Sequence, residues 1–187
     1  MEKFFEIFKK NIKTERLELR IMEPTPENAK LIWEAIKNEK TDNFKYIRFS
    51  PNRKTPLPTS EKETLDTLLD ANETQNCISY CVYHDNKFIG FVQILYWEKR
   101  NILEMGRIWF VKSSWGKGFA TEINKTIEKI TFAKTDIPNM GWQCYEDNIL
   151  SKKSALHNGY KLVKKMNDTD TNYVRLVFMK QKQSIQI

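Results

Sequence analysis

Between residues 111 and 122 the chain reads VKSSWGKGFATE. Gly116 and Gly118 stand one residue apart. Before them lies an apolar run, Ile102–Val111 (ILEMGRIWFV), and after them Ala120, Ile123, Ile127 and Ile130 recur at helical spacing. A strand, a glycine-rich turn and a helix make an anion-binding arrangement, because the first N–H groups of a helix lack intrahelical acceptors and point at whatever lies before them. Glycine at 116 and 118 clears the approach, so that N–H groups from about Trp115 to Thr121 can close on an anion, Phe119 and Ala120 among them. Lys117 adds a positive charge. Two other phosphate motifs do not fit: a P-loop needs G-x-x-x-x-G-K-[ST], and a dinucleotide fingerprint needs a third glycine where Thr121 stands.

The remaining reactive side chains are sparse. Cys77, Cys81 and Cys144 make no disulfide framework. Cys77 and Cys81 would share a strand face, but with two histidines in the chain a zinc site is not expected. All three read as reduced, mostly buried thiols, and no metal site is assigned. His84 falls in a predicted hairpin turn and His157 near a helix end; both read as solvated, and neither is assigned a role.

The elements that must position these groups follow from periodicity. RLELRIM alternates Leu17, Leu19 and Ile21 with charged residues and reads as a half-buried first strand. TPENAKLIWEAIKN places Ala29, Ile32, Trp33 and Ile36 on one helical face, starting at Thr25 or Pro26. Residues 38–60 are polar, contain Pro51, Pro56 and Pro58, and read as a long irregular connection. Thr59 or Ser60 opens a second helix to about Asn72. CISYCVYH and KFIGFVQILYWE read as strands joined by an Asp85-Asn86 hairpin turn. After the glycine turn and its helix come a strand at Gly141–Tyr145, a helix from Asn148 to Asn158 closed by Gly159, and two strands, YKLVKKM and YVRLVFMK. The order is strand, two helices, three strands, helix, strand, helix, two strands, which is an α+β layer fold. Residues 1–12 read as a helical appendage and 13–187 as a single domain.

Composition narrows the classes. The 187 residues suit one domain with a proper core, and 40% hydrophobic with 12% aromatic content argues against disorder. No apolar run reaches the length of a membrane span, and the N-terminus lacks a signal-peptide core, so the reading is a soluble, cytoplasmic protein. Phe4, Phe5 and Phe8 beside Lys3, Lys9 and Lys10 would suit a membrane-surface helix, but a short segment docked on the domain is the favoured reading. The net charge of +7 reads as a lysine-rich surface; no nucleic-acid motif accompanies it, although it would help to attract a polyphosphate.

EMGRIWFVKSSWGKGFATE, followed some thirty residues later by NILSKKSALHNGYKLV, resembles the GNAT superfamily of acyl-CoA-dependent N-acetyltransferases. The opening TERLELRIMEPTPENA resembles its branch of ribosomal-protein N-terminal alanine acetyltransferases. The likeness covers roughly residues 13 to 165, with three motifs in the family's order. It implies the GNAT fold, a mixed and mostly antiparallel seven-stranded sheet flanked by four helices. It also implies acetyl-CoA as cofactor, its pyrophosphate in the glycine cradle. One position departs from the pattern: Ser113 stands where the family often carries Arg or Gln, three residues before the first glycine.

The resemblance further implies roles for single residues. Backbone N–H groups near Phe110 and Val111 would face the thioester carbonyl where two strands splay apart, stabilising an oxyanion. Asn148 would hydrogen-bond the pantetheine arm or simply cap the following helix; both roles are compatible. Ser151 would protonate the leaving thiolate or satisfy the helix end, with Tyr145 as the reserve acid. Glu104, twelve residues before Gly116, would act as base through a water, or be structural if paired on the sheet surface with Arg107 or Lys112; it should share a face with Gly106 and Ile108. The activity implied is direct transfer of acetyl from acetyl-CoA to a primary amine, with a protein N-terminus as acceptor. A polyamine or aminoglycoside acceptor, a non-catalytic acyl-CoA-binding regulatory domain and an RNA-associated module are the alternatives. The 38–60 connection is the candidate for the acceptor side. No membrane partner is expected, and the chain reads as a monomer or homodimer.

Overall fold

The computed structural model describes residues 2–37, 39, 46, 58–73, 76–168 and 173–182. Helix α1 spans Glu2–Phe8, β1 Ile12–Lys13 and β2 Leu17–Ile21. Helices α2 (Pro26–Lys37) and α3 (Glu61–Glu73) follow, then strands β3 (Cys77–His84), β4 (Lys87–Trp97) and β5 (Ile102–Phe110). Helix α4 (Phe119–Lys134), β6 (Asn139–Tyr145), α5 (Ile149–His157), β7 (Lys161–Asn167) and β8 (Val174–Gln181) complete the described chain. The eight strands form one sheet in the order β1-β2-β3-β4-β5-β6-β8-β7. Seven strands were expected; the eighth is the two-residue β1, whose Ile12 and Lys13 pair with Leu19 and Glu18. So short a piece has no periodicity to betray it.

Every neighbouring pair is antiparallel except β5 and β6, which run parallel and are linked through α4. The last two strands enter the sheet out of sequence, because β8 pairs with β6 and leaves β7 at the edge.

The sheet has a core on each face. On one, Ile123 and Ile127 of α4 and Ala155 of α5 pack against Tyr80, Val82, Ile94, Leu103 and Met105. Phe4 and Phe8 of α1 belong to this same core, both nearly inaccessible, and the Tyr80 hydroxyl donates to the Phe8 carbonyl. The segment expected as an appendage is therefore packed into the main core. On the other face Ala29, Ile32 and Ile36 of α2 and Leu68 of α3 cover Cys81, Phe91 and Trp109.

Local signals act where the spacing placed them. Thr25 Oγ1 accepts from the Asn28 N–H at 3.2 Å, and Ser60 Oγ from the Glu63 N–H at 3.1 Å, so Thr25 and Ser60 start α2 and α3. Asp85 and Asn86 both take left-handed φ values, 49° and 59°, as a tight hairpin turn of matching twist requires. Gly159 (φ 80°) follows α5, and the Tyr160 N–H reaches back to the Ala155 carbonyl at 3.1 Å, which stops the helix.

Candidate active site

The parallel ladder between β5 and β6 is short. Ile102 to Met105 pair with Asn139 to Trp142, and beyond that the strands part. At the same point β5 bulges against β4: Gly106 lies opposite Gln93 and Trp109 opposite Phe91, so two residues of β5 face one of β4. Arg107 takes a left-handed φ of 46° in the bulge. The extra residue exchanges the faces. Glu104 and Gly106 share a side, but Ile108 turns to the α4 core and Trp109 to the α2 core, so the expected trio of Glu104, Gly106 and Ile108 is broken. A cavity of about 900 Å³ opens through this gap, from Trp97 and Glu104 at one end to Gly116, Thr121 and His157 at the other.

At the second end the glycine turn forms the cradle. Gly116 (φ 73°) and Gly118 (φ 79°) are both left-handed, the region where side chains are strained. A Cβ built on Gly116 would meet nothing within 4 Å, so the turn is open. The first backbone bond of α4 is donated by the Glu122 N–H to the Gly118 carbonyl at 3.0 Å, which leaves the N–H groups of Phe119, Ala120 and Thr121 ahead of it. Trp115 lines the cavity and ties the turn to β5, its indole N–H donating to the Phe110 carbonyl at 2.8 Å. Lys117 does not line the cavity. Its carbonyl accepts from Arg16 Nη1 at 3.1 Å, and that guanidinium is itself paired with Glu122.

In the gap itself, Val111 is a correction. Its N–H donates to the Ile89 carbonyl at 2.9 Å and is directed at β4. Successive residues of a strand direct their N–H groups to opposite edges, so Phe110 presents its own to the edge that β6 has left. Asn148 caps α5, its Oδ1 accepting from the Ser151 N–H at 3.1 Å, which leaves the Nδ2 amide as a donor on the cavity wall. Ser151 Oγ accepts from the Trp142 indole at 3.0 Å and lies in hydrogen-bond reach of the Cys144 thiol. Tyr145, the reserve acid, turns its hydroxyl to the buried Asp168 carboxylate at 3.2 Å, which Arg175 also pairs.

At the first end Glu104 is half-buried and hydrogen-bonded. Its Oε2 accepts from the Trp97 indole at 2.7 Å and from Gln143 at 2.8 Å. Burial raises its carboxyl above the ordinary range, while those two donors and the more distant Arg175 and Arg107 pull against the rise. Arg107 itself donates to Gln93 at 2.6 Å. Most of the 38–60 connection lies outside the described residues, but Tyr46 lines the cavity and donates to the Asp147 carbonyl at 3.3 Å.

His157 is exposed at the end of α5, as read from sequence, whereas His84 is half-buried. His84 packs its ring 5.0 Å from that of Phe119 under the cradle, and His157 is exposed but lines the cavity. The three cysteines are free, and burial raises all of them, Cys81 to about 12. Sequence reasoning missed Trp97, Gln143, Trp142 and Arg16. Only Arg16 had a local signal, its place in the TERLELR strand motif; the others come together through the sheet.

A profile of the acetyltransferase (GNAT) domain family matches residues 16–161. The chain belongs to this family and is an acetyltransferase domain. Among solved structures it superimposes on a probable GNAT acetyltransferase from Chromobacterium violaceum ATCC 12472, at 17% identity and TM-score 0.77 over 92% of this chain and 86% of that one. It matches RimL, a ribosomal L7/L12 alpha-N-protein acetyltransferase in complex with coenzyme A, at 16% identity and TM-score 0.76 over 91% and 97%. It also matches the microcin C7 self immunity acetyltransferase MccE, in complex with acetyl-CoA and AMP, at 18% identity and TM-score 0.75 over 94% and 98%. A sequence search among curated proteins finds no match.

Proposed function

We propose that this domain transfers an acetyl group from acetyl-CoA to a primary amine by direct attack, and that the acceptor is the N-terminus of a protein. One observation carries the reading: a single cleft joins the open cradle of α4 to the Glu104 carboxylate through the gap between β5 and β6. The residues fit the donor. An elongated thioester with an anionic end needs N–H donors at one end, a passage between strands and a proton acceptor beyond it, and the cleft offers them in that order.

Acetyl-CoA supplies an activated acetyl thioester and a diphosphate. The N–H groups of Phe119, Ala120 and Thr121 would hold the diphosphate, favoured by the helix dipole. Asn148 Nδ2 would donate to the pantetheine arm while Oδ1 caps α5. The Phe110 N–H would donate to the acetyl carbonyl oxygen as charge grows there, with no reorganisation. Ser151 would give its hydroxyl proton to the departing sulfur and recover one from the acylated nitrogen as that loses its second proton, while the Trp142 N–H on Oγ stabilises the oxygen between the two transfers. Glu104 would take the ammonium proton, directly or through water.

The acceptor follows from the cost of that proton. An α-amine with pKa near 7.7–8.0 is deprotonated at pH 7 for about 1.4 kcal/mol, whereas a lysine near 10.4 costs about 4–5. A carboxylate whose proton affinity burial raises suffices for the former. The reading also places the protein in the cytoplasm, in keeping with three free thiols.

The test begins with calorimetric titration of acetyl-CoA into the wild type and Ala120→Glu. Glutamate in the first turn suits the dipole of α4, so the fold should survive, but its charge faces the diphosphate. Micromolar binding lost in the variant supports the site; absence of binding by the wild type overturns it. Acetyl transfer to peptide N-termini, polyamines and aminoglycosides then tests the acceptor, and preference for either small-amine class would reject the protein N-terminus.

A further inference from the structure

We infer that Arg107 selects the acceptor, pairing with a carboxylate on the second residue of the protein whose N-terminus is acetylated. This rests on the acceptor reading above and deepens it.

Position 107 is costly to fill with arginine. Its φ of 46° is left-handed, a conformation that glycine holds freely and a larger residue resists. The side chain is nonetheless fixed. Arg107 Nη1 donates to Gln93 Oε1 at 2.6 Å, and Gln93 Nε2 donates to Ser79 Oγ at 2.8 Å. Gln93 is 1% exposed, so three adjacent strands bury a polar relay where apolar side chains would pack at less cost. The relay holds a half-buried guanidinium on the wall of the cleft.

That guanidinium lies beside the base. Gln93 is opposite Gly106, and Leu95, two residues along β4, is opposite Glu104. A Cβ built on Gly106 would lie 3.8 Å from Glu104 Oε1, so the carboxylate oxygen not taken by Trp97 and Gln143 is on the Gly106 side. Two residues of strand span about 7 Å, the scale of the separation between Glu104 and the group held on Gln93. In an extended acceptor the second Cα lies about 5 Å from the terminal nitrogen, and a carboxylate one or two carbons beyond it covers the remainder.

The charge pattern at this end favours an acidic acceptor. Among the described residues Glu104 is the one carboxylate lining the cleft, and Arg107 and Arg175 are the cations near it. Arg175 pairs with the buried Asp168. The Gln93 amide, being neutral, orients the Arg107 guanidinium without cancelling its charge. An acceptor ammonium approaching Glu104 therefore meets a second cation, and an acid on the next residue turns that repulsion into attraction.

The experiment measures kcat/KM for acetylation of three peptides, alike except for Asp, Asn or Arg at the second position, by the wild type, Arg107→Lys and Arg107→Gly. Glycine suits the left-handed backbone, so the bulge and the fold should survive its introduction. The wild type should prefer Asp over Asn about fivefold, in KM more than in kcat, with Arg poorest and the differences shrinking as salt screens them. Arg107→Lys should keep part of the preference, and Arg107→Gly should bring the Asp to Asn ratio to about one. A wild type that acetylates all three peptides equally overturns the inference, as does a preference for Asp that survives in Arg107→Gly. Equal losses on all three peptides in Arg107→Gly, with the ratio unchanged, would give Arg107 a structural role and overturn it too. Failure to acetylate any peptide, while polyamines or aminoglycosides are turned over, would instead remove the acceptor reading and the inference with it.

Discussion

Glu104 shows how a single carboxylate is prepared by its surroundings. Burial favours its neutral form, and two donors on Oε2 partly restore the anion, leaving Oε1 on the side it shares with Gly106. Glu104→Gln should lower acetyl transfer about a hundredfold and abolish the acid limb of the pH–rate profile, while the limb set by the acceptor amine stays. In Trp97→Phe the charged form loses a donor, so the acid limb should move to higher pH with Glu104 still in place. The same shift has a stability consequence. Because the folded-state pKa is raised, the native protein holds this proton over a window above the ordinary carboxylate range in which the unfolded chain has lost it. Stability from this group therefore falls as pH rises through that window. Glu104→Gln should melt higher than the wild type at neutral pH, and the difference should vanish at low pH in thermal scans.

At the scale of elements, α5 depends on Asn148 for its start and offers the same side chain to the cleft. The two duties use different atoms. Asn148→Asp keeps the accepting oxygen and should hold stability within about 0.5 kcal/mol, whereas Asn148→Ala should cost about 1 kcal/mol in urea unfolding. Both remove the Nδ2 donor, so both should weaken acetyl-CoA binding in titration. Retained affinity in Asn148→Asp would leave the residue as a cap only. The β5 bulge acts at the same scale: one extra residue moves Trp109 onto the α2 core and opens the edge where Phe110 presents its N–H.

At the scale of the whole molecule, the first helix is part of the structure that holds the strands. Phe8 is fully buried among residues of the core under β3, and Tyr80 donates to its carbonyl. Phe8→Ala should therefore cost about 3 kcal/mol or more in urea unfolding, as expected for a core aromatic. A helix merely resting on the surface would lose less than about 1 kcal/mol. The two cores on opposite faces clamp the sheet, and the gap between β5 and β6 is the place where neither ladder closes it.

Much of this was legible in the chain. Periodicity gave the helices and strands, the glycines at 116 and 118 gave the cradle, and Asp85-Asn86 and Gly159 gave a turn and a stop, because each rests on local backbone chemistry. The motif order implied the family. What only the tertiary structure decided were the partners. Trp97 and Gln143 meet on Glu104, and Trp142 meets Ser151, through strand register that no local pattern encodes. The bulge at Arg107 reverses the faces of Ile108 and Trp109, and a period-two reading runs straight through it. Val111 turned to Ile89 because direction is set by which neighbour a residue meets, and neighbours across a sheet are distant in sequence.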